Sequence, residues 1–313
     1  MLFWGEIGGK RFPNRPAQKG ACMADYIIAA ASTADLPDVF YREHNIPLIR
    51  YTYSIGMETF EDDCKEESRA KAYQDMRSGT VYTTSMINEE TYYQFFRGLM
   101  ERGKDVIYLD MSKEMSSSYQ ASHRAASRIQ SEFPDQQLVL PDTRCISGGL
   151  GLLVRECVRH MEEGMGFQAL LNWCEGNKLH IMHRFTVDDL NYLKRGGRVS
   201  NASAMIGSML SIKPVLYVPD DGKLTVSAKV RGRKAALNSL LEGVKRDLTA
   251  PAGQHIIINH ADCLSDANWL RDHLLEEYPT LGGVDIFSLG IIIGAHCGPG
   301  LLTVFYFGDR RKP

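Results

Sequence analysis

The stretch YIIAAASTADLP, Tyr26–Pro37, sets the pattern of the predicted fold. It begins with a short apolar run, which is typical of a buried strand, and it ends with a polar turn that can start a helix. The same order recurs downstream, where VYTTS precedes the helical pattern INEETYYQFFRGLMERG and DVIYLDMS precedes SSYQASHRAASRIQSEF. Strands that alternate with helices predict a mainly parallel sheet covered by helices.

The pattern changes after Gly176. LHIMHRF predicts a strand, TVDDLNYLKRGGR predicts a helix with Thr186 as its cap, and PDDG (219–222) predicts a turn between two strands. Local hairpins mixed with helices indicate a second α/β domain with a mixed sheet. We therefore expect an N-terminal extension (1–22) that is disordered or not native, a first α/β domain (23–176) and a second α/β domain (177–313).

Three further segments carry specific expectations. IPLIRYTYS predicts a single strand, and the charged segment ETFEDDCKEESRAKAYQDMRSG predicts a loop that leads into a solvent-facing helix. Near the C-terminus, GAHCGPG (294–300) lies between the apolar runs FSLGIII and LLTVFYF. Both runs are short, as buried strands are, so GAHCGPG is predicted to be a tight connection between two strands.

The composition excludes several classes of protein. The 313 residues are 44% hydrophobic and 24% charged with a formal net charge of −2, so they can bury a real core but create no overall positive field for nucleic acid. No stretch reaches the roughly 20 apolar residues that span a bilayer. The seven cysteines are scattered without a CxxC pair, which favours reduced thiols in a cytoplasmic protein and argues against zinc.

Three clusters rich in hydroxyl groups follow strands of the first half: Thr83-Thr84-Ser85, Ser116-Ser117-Ser118 and Ser147-Gly148-Gly149. Each lies near the predicted start of a helix, and such turns gather at one edge of a parallel sheet. Helix N-termini and hydroxyls together suit an anionic oxygen group such as a carboxylate or phosphate. The alternative is that these residues only cap helices, as Ser and Thr commonly do.

The remaining motifs each allow more than one interpretation. Arg195 and Arg198 flank two glycines, which suits an anion site or an ordinary helix end with two solvated arginines. The basic run around Arg231 fits a solvated face or a docking patch for an acidic partner. His296 lies among small residues and is a candidate for either a structural or a functional role. No GxxxxGK[ST], GxGxxG, GxSxG or HExxH motif occurs.

A series of motifs along the chain resembles those of the DegV family. STADLP resembles the opening DSTxDLP of that family, TTSMIN its TSxPS segment, SKEMSSSYQAS its SSxLSGTYQSA and DTRCISGGLGLLV its DSxxxSxGxGxLV. The segment from Phe185 to Leu224 and KVRGRKAAL are similar to the central signature, and GAHCGPG resembles GxHxGPG. The resemblance spans nearly all of residues 23–308.

The resemblance implies two α/β domains that hold a long-chain fatty acid, such as palmitate or oleate, between them. The tail would enter an apolar tunnel. By matching motifs, Thr84 and Ser116 would supply hydroxyls for the carboxyl head, with Ser85 beside Thr84, and His296 would be a further contact. We expect His296 to face these hydroxyls across the domain cleft, with the glycines of GAHCGPG leaving room for a carboxylate.

The resemblance also implies a partner. One branch of the family serves as the fatty-acid-binding subunit of a bacterial fatty acid kinase, presenting the carboxylate to a separate ATP-using subunit and carrying away the acyl phosphate. Arg231, and Arg198 with it, would lie on the partner-facing side. Such a protein needs no catalytic centre, cofactor or metal of its own. It would work in the cytoplasm without a transmembrane segment or nucleic acid, and with at most transient contact with a membrane surface.

The sequence departs from the family pattern at several places. Ala31 stands where the family has Asp, Ile87-Asn88 replace Pro-Ser, and Ser117 replaces a glycine after Ser116. The added side chain at Ser117 is expected to crowd the head-group pocket. Two other functions therefore stay open: a stand-alone phosphotransferase or hydrolase acting on a small anionic substrate, and a lipid sensor without a kinase partner.

Overall fold

A computed structural model describes residues 25–198 and 212–312. The predicted extension (1–22) and residues 199–211 of the signature segment lie outside these ranges. The described strands are β1 Tyr26–Ala31, β2 Leu48–Ile49, β3 Thr52–Ile55, β4 Glu58–Glu61, β5 Tyr82–Ser85, β6 Asp105–Leu109, β7 Leu138–Val139, β8 Ile181–Thr186, β9 Ile212–Tyr217, β10 Thr225–Arg231, β11 His255–His260, β12 Gly283–Ser288 and β13 Leu302–Phe307. The described α-helices are α1 Asp38–Glu43, α2 Glu66–Arg77, α3 Glu89–Met100, α4 Ser118–Glu132, α5 Gly148–Glu162, α6 Phe167–Asn177, α7 Leu190–Gly196, α8 Arg233–Asp247, α9 Leu264–Glu277 and α10 Ile291–Cys297.

The described strands form three sheets. A parallel sheet has the order β2-β1-β6-β7. A mixed sheet has the order β10-β9-β8-β13-β11-β12, in which β11 and β12 are parallel and the other neighbours are antiparallel. A small antiparallel sheet has the order β4-β3-β5. The predicted α/β architecture, with a parallel first sheet and a mixed second sheet, is confirmed.

The apolar core explains how the two halves are held together. On one face of the mixed sheet, α8 and α9 enclose a core that includes Leu240, Ile256 and Leu270. On the other face, α5 from the first half packs on β8, β11 and β13. The larger of the two cores is one continuous cluster that includes residues from both halves of the chain, such as Ile28 and Phe305. The domain boundary at residues 176 and 177 remains a prediction, because the largest core spans it.

The hydrophobic pattern misassigned two segments. IPLIRYTYS is not one strand: β2 ends at Ile49 and joins the parallel sheet, whereas β3 begins at Thr52 and joins the small sheet. The run FSLGIII is also not one strand, because β12 ends at Ser288 and Ile291–Cys297 form α10. Nearly every residue of α10 is buried, and a helix that is buried on all sides shows no amphipathic period. GAHCGPG is therefore the end of a helix and the turn after it.

The predicted cap of α7 was wrong, and the prediction for α2 holds for only one side of that helix. Thr186 does not cap α7, because it lies in β8 and its hydroxyl donates to the Pro214 carbonyl at 2.8 Å. Asp189 caps the helix instead and accepts from the Asn191 amide at 2.8 Å. The helix predicted to face solvent is present as α2, and one side is exposed, whereas the other side, which includes Arg69 and Tyr73, is buried. The hairpin strand β4 occupies part of the loop that was predicted before it.

Candidate functional site

A largely apolar cavity of about 880 Å³, which includes space open to solvent, lies between the first half of the chain and the mixed sheet. Much of its wall comes from apolar side chains, among them Met111, Met115, Phe185, Ile292 and Phe305. Its polar groups include the hydroxyls of Thr84, Ser85, Ser116 and Ser117 together with the His296 imidazole. The structure thus brings the four predicted head-group residues to one cavity: Thr84, Ser85, Ser116 and His296.

The pair Thr84 and His296 is the centre of this polar group. Thr84 Oγ1 lies 2.7 Å from His296 Nε2, although the two residues are 212 positions apart in sequence. Thr84 lies in β5, where the antiparallel register sets it opposite Tyr53. His296 lies in the last turn of α10. The expectation that His296 faces Thr84 is confirmed.

The surroundings of His296 keep its imidazole neutral. Burial lowers the pKa of His296 to about 4, and the positive charges of Arg198 and Arg195 add to this effect. A hydrogen bond with the Gly196 backbone acts in the opposite direction, as a carbonyl acceptor does. The same two guanidinium groups create a positive potential at the polar part of the cavity, which suits an anionic ligand.

The serines near this pair differ in their surroundings. Ser85 is exposed at the end of β5, and Ser116 is half-buried with its Oγ accepting from the Ser118 amide at 3.1 Å. Accepting leaves the Ser116 proton free to donate to a ligand. Ser117 is exposed, and its Oγ lies 3.5 Å from Met86 Sδ. Its φ of −68° is ordinary, so the backbone there does not require glycine.

The hydroxyl clusters do not all occupy the predicted positions. Thr83–Ser85 form β5 of the antiparallel sheet rather than a turn of the parallel sheet. Ser147 does precede α5, but its hydroxyl donates to Asp35 Oδ2 at 2.5 Å. Burial raises the pKa of Asp35 to about 7. Because its proton is engaged in this bond, Ser147 is a wall residue rather than a free donor.

Two residues that the sequence analysis overlooked hold α10 in place. Arg69 Nη1 donates to the Ser288 carbonyl at 2.8 Å, and Tyr73 Oη donates to the Leu289 carbonyl at 2.9 Å. Both side chains are about 1% exposed and come from α2 in the first half of the chain. They fix the turn that begins α10 and thereby the position of His296. The signal available in sequence was the spacing of Tyr73 and Met76, three residues apart in a charged segment.

The glycines of GAHCGPG make room for protein side chains, and the expectation that they leave room for a carboxylate was wrong. A Cβ added to Gly294 would overlap the Tyr73 hydroxyl, and one on Gly298 would overlap the Tyr192 ring. Gly300 has a φ of +86° and packs in the same way on Asp188. The tight backbone therefore serves to fit α10 against α2 and α7.

The structure separates the two predicted partner-binding arginines. Arg198 lines the cavity close to His296. Arg231 is exposed at the end of the edge strand β10 and is not among the residues that line the cavity. A role in partner binding remains a prediction for both residues.

Two negative findings concern the described ranges alone. Within residues 25–198 and 212–312, no cluster of three or more His, Cys, Asp or Glu side chains is placed to hold a metal ion. Over the same ranges, every helix is too short or too polar to cross a bilayer.

Comparisons with known proteins agree with this architecture. A family model described as an uncharacterised protein of the DegV family matches residues 27–309. A DegV domain-containing protein of Clostridium perfringens is 36% identical over 292 residues, which is 93% of this chain and 100% of the relative.

Two solved structures are also similar. A fatty-acid-binding DegV family protein of Streptococcus agalactiae is 27% identical with a TM-score of 0.76 and covers 92% of this chain and 100% of its own. A DegV family protein of Thermus thermophilus, described for its fatty acid binding, is 25% identical with a TM-score of 0.81 and covers 90% and 99%. Sequence and fold agree over nearly the whole length, and the chain belongs to the DegV family.

Proposed function

We propose that this protein binds a long-chain fatty acid, such as palmitate or oleate, with the carboxylate at Thr84, Ser85, Ser116 and His296. The observation that carries the proposal is the Thr84–His296 pair in the wall of an otherwise largely apolar cavity. The similar proteins of Streptococcus agalactiae and Thermus thermophilus are described as binding fatty acids, which supports the same ligand class here.

The polar group has the chemistry that a carboxylate needs. A carboxylate buried among apolar side chains must have its oxygens hydrogen-bonded. The hydroxyls of Thr84, Ser85 and Ser116 can donate to it, and Arg198 lowers the electrostatic cost of bringing it there. In the neutral imidazole, Nε2 accepts from the Thr84 hydroxyl. A carboxylate nearby would favour the protonated imidazole, whose Nε2–H donates to Thr84 Oγ1 and leaves the Thr84 proton for the carboxylate.

The apolar wall supplies the affinity for the tail. Each buried CH₂ contributes about 0.8 kcal/mol, and part of this total offsets the loss of freedom on binding. Such a site holds a fatty acid without covalent chemistry. We therefore propose a lipid-binding protein without its own catalytic centre and without a cofactor or metal.

We further propose that the bound carboxylate is presented to a separate ATP-dependent kinase subunit in the cytoplasm, which forms the acyl phosphate. Hydrogen bonds from uncharged hydroxyls hold a carboxylate less tightly than a buried ion pair would, which suits a hand-over. The exposed guanidinium of Arg231 is a candidate contact for an acidic surface on that subunit.

Substitution of Thr84 tests the head-group site. Thr84→Val keeps the shape of the side chain and removes its hydroxyl, so palmitate should bind about 10- to 150-fold more weakly, as expected for a lost bond to a charged group. The control is Thr83→Val, because Thr83 is exposed and is not among the residues that line the cavity. Palmitate binding is measured by isothermal titration calorimetry on delipidated protein.

Two results would overturn the head-group proposal. One is a purified protein that carries no lipid in native mass spectrometry and takes up neither palmitate nor oleate. The other is an equal loss of affinity in both threonine variants.

The kinase proposal needs a separate test. Arg231→Glu should abolish ATP-dependent acyl phosphate formation with the kinase subunit while palmitate binding stays unchanged. Full acyl phosphate formation by this variant would remove Arg231 from the proposal.

A further inference from the structure

Thr303 is a polar residue in the cavity wall, and it lies on β13 rather than on the segments that carry the head-group residues. It lies in β13 at the centre of the mixed sheet, directly opposite Asn259 of β11 and Phe185 of β8. Residues opposite each other in antiparallel strands project from the same face of the sheet. Thr303 and Phe185 both line the cavity, and Thr303 is only 3% exposed.

The Thr303 hydroxyl lacks a hydrogen-bond partner within residues 25–198 and 212–312. The neighbouring Asn259 Oδ1 is also unpartnered in these ranges. Other polar groups of this wall are engaged: His183 Nδ1 lies 2.9 Å from the Ile181 carbonyl, and its Nε2 accepts from the Ile146 amide at 3.2 Å. A buried hydroxyl without a partner is costly, so its presence in a ligand cavity points to a partner supplied by the ligand.

We propose that Thr303 forms a second polar subsite that binds an oxygen atom on the acyl chain, so that the cavity prefers a hydroxy fatty acid to a plain chain of the same length. This inference rests on the proposed fatty-acid binding. A hydroxyl on the acyl chain can either donate to the Thr303 oxygen or accept the Thr303 proton, so it suits this side chain. The Phe185 and Phe305 rings nearby favour a neutral oxygen over a second charged group.

The preference is tested with three acids of equal chain length: stearic, 10-hydroxystearic and 12-hydroxystearic acid. Two positions of the hydroxyl are used because the bound chain must place its oxygen opposite Thr303. We expect at least one hydroxy acid to bind the wild-type protein about tenfold more tightly than stearic acid. The affinities are measured by calorimetry on delipidated protein.

Two variants assign the preference to one atom. Thr303→Val removes the hydroxyl and should abolish the preference while stearic acid binds equally or more tightly. Thr303→Ser keeps the hydroxyl and should retain the preference. Thermal unfolding provides a check on folding, and Thr303→Val should be no less stable than the wild type, because it removes an unpartnered polar group.

The outcomes separate this inference from the proposed function. Equal binding of all three acids by the wild type would overturn the subsite, and so would a preference that survives in Thr303→Val. Either result leaves the fatty-acid site intact, since stearic acid still binds. A wild-type protein that binds none of the acids would instead overturn the proposed function and the subsite together.

Discussion

Gly294→Ala is the substitution that most directly tests how α10 is held. Gly294 lies in the middle of this helix, where alanine would normally be favoured over glycine by about 1 kcal/mol. The structure predicts instead that Gly294→Ala lowers the free energy of unfolding. The added Cβ would overlap the Tyr73 hydroxyl and lie 2.9 Å from two atoms of its ring. Tyr73 is about 1% exposed and has no room to retreat.

The expected magnitude follows from three contributions. Forcing a methyl group into a packed core costs about 1–3 kcal/mol. Displacing the Tyr73 hydroxyl from the Leu289 carbonyl costs about 1–3 kcal/mol more, because both groups are buried. Subtracting the helix preference of about 1 kcal/mol leaves a loss of about 3 kcal/mol in the free energy of unfolding. Palmitate affinity should also fall, because His296 follows two residues later in the same helix.

Chemical denaturation of the variant and of a matched control provides the assay. The control is Gly98→Ala in α3, because nothing lies within 4 Å of its added Cβ and the residue is exposed. This control should gain about 0.5–1 kcal/mol. Tyr73→Phe should cost less in the Gly294→Ala protein than in the wild type, because the overlapping oxygen is then absent. A Gly294→Ala protein as stable as the Gly98→Ala protein would refute this account of the GAHCGPG glycines.

Two further predictions concern buried charge. Arg69→Met should lower the free energy of unfolding by about 3–5 kcal/mol, because three carbonyls lose their donor and the buried Asp35 and Asp62 lose a compensating charge. Arg77→Met, on the same helix but half exposed, should cost at most about 1 kcal/mol, and equal losses in urea denaturation would contradict the buried role of Arg69. The second prediction is a pH dependence: the pKa of His296 in the folded protein is about 4, below its unfolded value of 6.5, so the unfolded chain binds the extra proton between these values. The free energy of unfolding of the ligand-free wild type should therefore fall by up to about 3 kcal/mol relative to that of His296→Gln as the pH falls from 6.5 to 4. Parallel curves of unfolding free energy against pH for the two proteins would show that proton uptake by His296 does not cause the change.

Some features of the site were accessible from sequence because they depend on short segments. STADLP, the strands β1 and β6 and the PDDG turn follow from local periodicity and turn chemistry. The clusters around Thr84 and Ser116 follow from residue type, and His296 stood out among small neighbours. The family resemblance then linked these three residues to one ligand, which local patterns alone left open.

Other features depend on contacts between distant segments. Arg69 and Tyr73 lie in a stretch so charged that it indicates a solvated helix, and only packing against the turn before α10 buries them. The isoleucines of α10 were predicted to lie in a strand, because a helix that is buried on all sides has no polar face and so shows no helical period. Thr303 lies within the apolar run LLTVFYF, and only its neighbours in β8 and β11 reveal that its hydroxyl has no partner in the part of the chain that the structure describes.

The sequence by itself determined the α/β order of the chain and the residue types of the head-group site. Tertiary structure decided that Thr84 and His296 meet and that the glycines accommodate tyrosine and aspartate side chains. It also decided that one hydroxyl in the cavity wall has no partner among the described residues. The physical reason is the separation along the chain over which each interaction acts. Periodicity and turn preferences act over a few residues, whereas burial and pairing join groups as far apart as the 212 positions between Thr84 and His296.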